Sequence, residues 1–330
     1  MNAGRSGDPD PTHALLRVAA WLQQQDYAFT TVTPATHARV NARPSSRVAH
    51  NLRDVFGWSR PFAPSLLPPS ILETLQDAAL IEDAGNGLVR SAVRFSTLGD
   101  DLFAHSAYPT QQDDAVFFGP DTYRFARLIE EELRRTPLRA GARILDLGCG
   151  SGAGGIVAAL AAGDSTAQLM LSDINPRALR FAAANVAGTR CAQAQLVQSD
   201  LFAATPGAFD LILANPPYLN DAAQRTYRHG GGRFGEALSA RIVREGLPRL
   251  APRGRLVLYT GVAMVDGDDP LLALLQPHLA AAGWPWTYRE LDPDVFGEEL
   301  EEPAYIEAER IAAVALVVQR PDTPAGSALP

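Results

Sequence analysis

The chain has 330 residues, 46% of them hydrophobic, with a net charge of −8, six histidines and two cysteines, Cys149 and Cys191. That length predicts two domains, and the acidic balance excludes a uniformly basic nucleic-acid-binding surface. The cysteines and histidines give no disulfide framework and no metal-ligand spacing, no uncharged apolar stretch approaches the roughly 20 residues of a membrane span, and the polar start with Pro9 and Pro11 does not look like a signal peptide, so a cytoplasmic globular protein with no metal and no membrane partner is expected.

The N-terminal third, residues 1–111, reads as a smaller α+β module. A helix is predicted from His13 to Gln25, with Leu15, Leu16, Val18, Ala19 and Leu22 on one face. A second is predicted over Val48 to Phe56. Pro61, Pro64, Pro68 and Pro69 then punctuate a turn-rich stretch. Ser70 is the expected cap of a helix through Ala79, with Glu73 completing a capping box. Asn86-Gly87 favours a tight primed turn, which predicts a hairpin between Leu80-Ile81-Glu82 and a strand from Leu88 to Phe95. A third strand is expected at Leu102-Phe103-Ala104-His105. Helices succeeded by a hairpin suggest a winged-helix-like module, a type that binds nucleic acid or docks proteins.

Every one of the 29 basic residues is arginine. Arginine suits bidentate phosphate contacts, but a GC-rich genome gives the same bias, and the abundant alanine and proline favour that second reading. The distribution is uneven, however. Arg39, Arg43, Arg47, Arg53 and Arg60, with His37 and His50, face only Asp54 between residues 37 and 60. The opposite extreme is the acidic cluster Glu298, Glu299, Glu301 and Glu302. Each is either a solvated face or, for the arginines, a contact to phosphate or an RNA-bearing partner.

From residue 112 to 320 the pattern changes to alternating strands and helices. Phe117-Phe118-Gly119-Pro120-Asp121-Thr122-Tyr123 leads into a helix through Arg135. Ala142 to Leu147 reads as a buried strand. It runs into Gly148-Cys149-Gly150-Ser151-Gly152 and then a small-residue helix from Ala153 to Ala162. Strand, glycine turn and helix begin a nucleotide-binding βα unit. Cys149 reads as a packing residue of that turn. Leu169 to Asp173 is the next strand, with Asp173 at its carboxyl end, where an acid can take both hydroxyls of a ribose. Gln195 to Gln198 comes next, ending in Ser199-Asp200-Leu201-Phe202. Asp200 and Leu201 are placed to meet an adenine amino group and ring. Asp146, just before the glycines, is unlike a dinucleotide fold. It suits a ligand with a cationic amino-acid tail.

Phe209 to Ala214 is an apolar run, read as a buried strand, and it ends in Asn215-Pro216-Pro217-Tyr218. Two prolines fix φ twice and remove two donors, and Asn215 is pushed toward extended geometry by the proline after it. The stiff turn offers an amide oxygen, free carbonyls and a ring. Those parts suit a planar –NH2 group, with Asn215 and the Pro216 carbonyl accepting its hydrogens and Tyr218 against its face. His229 to Gly235 is glycine-rich and by itself reads as a flexible surface loop. Beyond it a helix is predicted from Glu236 to Leu250. Residues 321–330 are expected to be a disordered tail.

Asp146-Leu147-Gly148-Cys149-Gly150-Ser151-Gly152, Asp173-Ile174-Asn175, Asp200-Leu201-Phe202 and Asn215-Pro216-Pro217-Tyr218 resemble the motifs of class I S-adenosylmethionine-dependent methyltransferases. Within them the chain is most similar to the amino-methyltransferases with an Asn-Pro-Pro-Tyr motif. These include the release-factor glutamine methyltransferases and enzymes that methylate base amino groups of DNA and ribosomal RNA. The resemblance covers residues 115 to 320. It implies a seven-stranded Rossmann-like α/β domain, mostly parallel, with helices on both faces. The last strands would be Trp286 to Leu291 and Ile311 to Val318, the final one antiparallel.

The resemblance also implies S-adenosyl-L-methionine as cofactor, held by Asp146, Gly148, Gly150, Gly152, Asp173, Ile174, Asp200, Leu201, Asn215 and Phe118. Catalysis would fall to Asn215, Pro216, Pro217 and Tyr218. Phe118-Gly119-Pro120 sits where the glutamine methyltransferases carry a proline-rich turn over the cofactor, with one proline here. The expected substrate is a protein glutamine amide of a release-factor-like partner. Alternatives are a base amino group of ribosomal RNA or DNA, a small-molecule amine, and, in another class, a non-catalytic cofactor- or RNA-binding subunit.

Overall fold

The computed structural model describes residues 11–110, 112–163, 166–191, 193–221, 225 and 227–322. The expected tail from residue 323 onward lies outside the described residues.

The N-terminal part runs through helices α1 (Thr12–Gln24), α2 (Pro34–Asn41), α3 (Leu52–Phe56) and α4 (Pro69–Asp77). Two hairpins come next, β1 (Ile81–Gly85) with β2 (Leu88–Ser91), and β3 (Val93–Leu98) with β4 (Asp101–Ser106). Leu15, Val18 and Leu22 of α1 are buried, as their spacing requires. Asn86 and Gly87 both take positive φ, the primed turn that this dipeptide favours.

Local chemistry explains four departures from the sequence reading. The helix expected from Val48 starts at Leu52, because the Asn51 side chain accepts from the Asp54 N–H and caps it there. Helix α2 was not expected, although Thr33 caps it and Pro34 occupies its first turn. Ser70 caps nothing: α4 begins at Pro69, and no capping box with Glu73 forms. The strand expected from Leu88 to Phe95 breaks at Ala92. The Ser91 hydroxyl bonds both the N–H and the carbonyl of Val93, and the two halves join different sheets.

The remainder carries α5 (Pro120–Arg135), β5 (Arg143–Leu147), α6 (Ala153–Ala162), β6 (Gln168–Asp173), α7 (Pro176–Gly188), β7 (Ala194–Gln198), β8 (Phe209–Ala214), α8 (Ala237–Gly246), β9 (Leu250–Met264), α9 (Pro270–Ala282), β10 (Trp286–Asp292) and β11 (Arg310–Gln319). Helix α8 stops at Gly246, short of the expected Leu250, and a 3-10 turn over Leu247–Arg249 takes the chain into β9.

Seven strands form one sheet in the order β10-β11-β9-β8-β5-β6-β7. Strands β7, β6, β5, β8 and β9 are parallel, and β11 is antiparallel to both neighbours. Alternation along the strands builds two cores. Ile144, Leu211 and Leu213 pack with Ile129, Leu133 and Ile156 of α5 and α6. Leu145, Leu147 and Ile212 pack with Ile242 and Val243 of α8 and Leu271 and Leu275 of α9. Both faces are covered, which is why these strands read as continuous apolar runs.

The N-terminal module is welded to the sheet domain through α7. Ala178, Phe181 and Ala184 of α7 share a core with Leu15, Val18, Phe29, Phe56 and Phe95. Asn185 adds a polar clamp: its amide exchanges two hydrogen bonds with the Ala104 backbone, at 2.8 and 3.0 Å, and donates to the Ser151 carbonyl at 2.8 Å. Strand β4 is thereby tied to the glycine turn after β5.

Candidate active site

Register sets the geometry of the site. Leu147 at the end of β5 pairs with Ser172 on β6 and with Ala214 on β8. The next residues, Gly148, Asp173 and Asn215, therefore leave the sheet side by side at its carboxyl edge. Asp173 in turn pairs with Gln198, so Ser199 and Asp200 emerge beside it. Strand order reverses between β5 and β8, the point where open α/β sheets bind ligands.

A cavity of about 380 Å³ opens there. Asp146, Gly148, Gly150, Asp173, Ile174, Asp200, Leu201, Asn215, Pro216, Pro217 and Tyr218 all line it. Two residues expected in the cofactor set do not reach it. Gly152 caps α6 with φ of +80°, and a Cβ on it would lie 3.1 Å from Leu171 and 3.3 Å from Ala182. Its glycine is required by backbone and packing. Phe118 is buried in the core, its ring stacked on His105 at 4.9 Å, while its neighbour Phe117 faces the cavity instead. The single proline of that turn, Pro120, starts α5.

Acids dominate the cavity floor. The Asp146 carboxylate is buried and accepts the Gly155 N–H at 2.7 Å, in the first turn of α6. Burial pushes its pKa up to about 7, the Gly155 bond pulls it back, and Asp173 nearby raises it further. Asp173 accepts from Gly150 N at 2.8 Å and from Asn175 N at 2.9 Å, so it shapes the glycine turn as well as facing the cavity. Burial also raises its pKa. Asp200 lies at the exposed end, and its oxygens meet the Arg241 guanidinium at 3.0 and 3.3 Å. Any amino group it meets shares the carboxylate with that pair.

Asp121 is the residue that sequence reading missed. It lines the cavity, fully buried, and accepts from the Tyr218 and Tyr259 hydroxyls, the latter at 2.6 Å, and from Arg124 at 3.1 Å. Burial raises its pKa against the pull of those three donors. Tyr218 is thus held at both ends. Its hydroxyl is bonded to Asp121, and its ring packs so closely on Gly261 that a Cβ there would lie 2.2 Å from it. Phe296 meets the same ring edge-on at 6.1 Å. Between these contacts Tyr218 lines the cavity. By contrast, the Asn215 side chain makes no hydrogen bond among the described residues and is free to take a ligand.

The glycine-rich segment packs directly on the Asn-Pro-Pro-Tyr turn. Gly235 has φ of +98°, and a Cβ on it would lie 2.1 Å from the Tyr218 carbonyl oxygen. Only glycine permits that approach. Tyr227, Arg228 and His229, just before the glycines, line the cavity, with Tyr227 stacked on Phe117 at 6.3 Å and bonded to the Thr110 carbonyl at 2.6 Å. Phe296 completes the wall from the chain's far end, and no local sequence pattern marks it.

The floor fits a cationic, hydroxyl-bearing ligand. Asp146 and Asp173 are buried carboxylates facing the cavity, and among the described residues no cationic side chain is bonded to either. Their unused lone pairs suit an ammonium and ribose hydroxyls. Isolated buried anions are costly, and a bound cation relieves that cost. In the ligand-free protein Asp146 holds a proton in the folded state that the unfolded chain releases near pH 4, so its contribution to stability is full below about pH 4 and is lost as pH rises through about 7. Asp146→Asn should remove that slope, gaining on the order of 2–4 kcal/mol relative to wild type between pH 4 and 8. Denaturant midpoints measured across that window would check it; parallel curves would overturn it.

Residues 114–262 match the family model described as the methyltransferase small domain. Three relatives are similar to the chain. A release factor glutamine methyltransferase of Deinococcus radiodurans is 33% identical over 54% of this chain and 63% of its own length. A ribosomal protein uL3 glutamine methyltransferase of Bordetella pertussis is 38% identical over 41% of this chain and 50% of its own. A ribosomal RNA small subunit methyltransferase C of Haemophilus influenzae is 32% identical over 37% of this chain and 36% of its own. The chain therefore spans from about a third to under two thirds of these relatives. Among the described residues no helix is long and apolar enough to cross a membrane, and no cluster of three or more His, Cys, Asp or Glu is arranged to hold a metal.

Proposed function

We propose that this protein is an S-adenosylmethionine-dependent N-methyltransferase acting on a planar amide nitrogen, with a protein glutamine side chain as the substrate. The observation that carries this is the free Asn215 amide, at the start of a rigid Asn-Pro-Pro-Tyr turn, beside the acid-lined glycine turn in one cavity. When bound, S-adenosylmethionine supplies a methyl group already activated on sulfonium. Asp146 would offset the ammonium of its amino-acid tail, directly or through the glycine turn, and Asp173 would take the ribose hydroxyls.

The rest is positioning. An amide lone pair is delocalised, so the nitrogen is a poor nucleophile. The Asn215 oxygen and the Pro216 carbonyl would accept its two hydrogens and favour a localised lone pair as the new bond forms. Tyr218 cannot swing, since Asp121 and Gly261 fix it, and its ring would pack against the amide plane and hold the substrate nitrogen in place. No strong base is needed, because the nitrogen becomes acidic once it carries positive charge. The two glutamine-methylating relatives support the amide reading; the ribosomal RNA relative supports a base amino group as the rival. A cytoplasmic setting and a macromolecular partner belong to the same proposal.

Incubation with tritiated S-adenosylmethionine and cell lysate, with protease or nuclease digestion afterwards, tests it. Label should be released by protease and survive nuclease. Label released only by nuclease would overturn the amide reading in favour of a base amino group.

A further inference from the structure

Residues 34 to 60 carry five arginines against a single acid, Asp54. Arg60 is buried and takes that acid, its guanidinium bonded to the carboxylate. The other four, Arg39, Arg43, Arg47 and Arg53, are exposed. None of them forms an ion pair among the described residues. In a chain of net charge −8, four exposed guanidiniums thus fall close together in sequence with no carboxylate partner among the described residues.

The fold keeps them outward. Helix α2 turns His37 inward, where its ring packs on Tyr108, tilted by 30° with centroids 4.0 Å apart. Two residues on, the Thr110 carbonyl receives the Tyr227 hydroxyl, and Tyr227 lines the cavity. The inner side of α2 thus leads by a short chain of contacts to the cavity wall, while Arg39 and its successors face solvent.

We propose that the outer face of residues 38–53 binds the phosphate backbone of RNA, as a docking surface separate from the cavity. Its composition favours phosphate over an acidic protein. Protein interfaces set arginine hot spots beside buried aromatic anchors such as Trp and Tyr. The exposed large hydrophobic residues here, Ile174, Leu196, Leu274, Trp286 and Ile306, all lie outside this stretch. What it offers is guanidinium forks, which match phosphate oxygens bidentately, with the exposed polar side chains of Ser45 and His50 between them. Duplex DNA is a poor fit. Helices α2 and α3 have eight and five residues, and neither makes a rod to lie along a major groove. Backbone contact to a single strand needs no such rod.

RNA docking on this face does not depend on the methyl-transfer reading, and its test uses no cofactor. Fluorescence anisotropy would track a mixed-sequence single-stranded RNA oligonucleotide bound by the full-length chain over a series of salt concentrations. Replacing Arg39, Arg43 and Arg47 together by alanine should weaken binding at least tenfold at low salt. The slope of log affinity against log salt should become shallower by about 2, at roughly 0.7 for each lost phosphate contact. The matching triple lysine variant should keep most of that slope. Alanine at the exposed Arg134, Arg180 and Arg253 elsewhere on the surface should change little. An unchanged slope in the first variant would overturn the proposal, as would an equal loss in the control. Tighter binding of polyglutamate or of duplex DNA than of the single strand would also overturn it.

Discussion

Asn215→Ala is expected to fold, to keep most of its affinity for S-adenosylmethionine and to lose methyl transfer by about a hundredfold or more. The expectation comes from what the side chain does and does not touch. It lines the cavity and makes no hydrogen bond among the described residues, so its removal orphans no buried partner. The backbone around it is fixed independently, by Pro216, Pro217 and the close approach of Gly235 to the Tyr218 carbonyl. What is lost is one of two acceptors gripping the substrate nitrogen, an interaction strengthened as that nitrogen becomes cationic. The loss should therefore fall on kcat more than on KM. Calorimetry for cofactor binding and steady-state rates for transfer separate the two. A near-normal rate would remove Asn215 from the mechanism.

Asp173→Ala should act on the cofactor instead. A carboxylate accepting ribose hydroxyls contributes roughly 1.5–3 kcal/mol, which is about tenfold to a hundredfold in affinity. The structure makes the expected loss larger than the ribose contact by itself, because Asp173 also receives the N–H groups of Gly150 and Asn175. Removing it loosens the glycine turn and the entry to α7 together. Affinity should fall by about a hundredfold, with a measurable loss of thermal stability in the ligand-free protein. Unchanged cofactor binding by calorimetry would refute the assignment, and so would tight binding of NAD.

Much of this site was legible because its residues sit at strand ends. A buried parallel strand is an apolar run, and the residues just after it must emerge at the carboxyl edge of the sheet, so Asp173, Asp200 and Asn215 could be placed from sequence. Phe118 was misplaced because two adjacent phenylalanines give no sign of which faces inward. The packing shows it: Phe118 lies against His105 and Phe117 lines the cavity. Gly152 was misread for a related reason. Its neighbours Leu171 and Ala182 are distant in sequence, and their packing, more than any ligand, forbids a side chain.

The local sequence by itself determined the βα nucleotide-binding unit, the rigid Asn-Pro-Pro-Tyr turn and the Asn86-Gly87 hairpin, since each rests on backbone preferences of neighbouring residues. Tertiary structure decided the rest. Asp121 acquires its role only where α5 meets Tyr218 and Tyr259, residues 97 and 138 positions away. Phe296 reaches the cavity from beyond β10, and α7 joins the N-terminal core to the sheet domain. Contacts of that range leave no period or motif in the chain, because they arise from how finished elements pack.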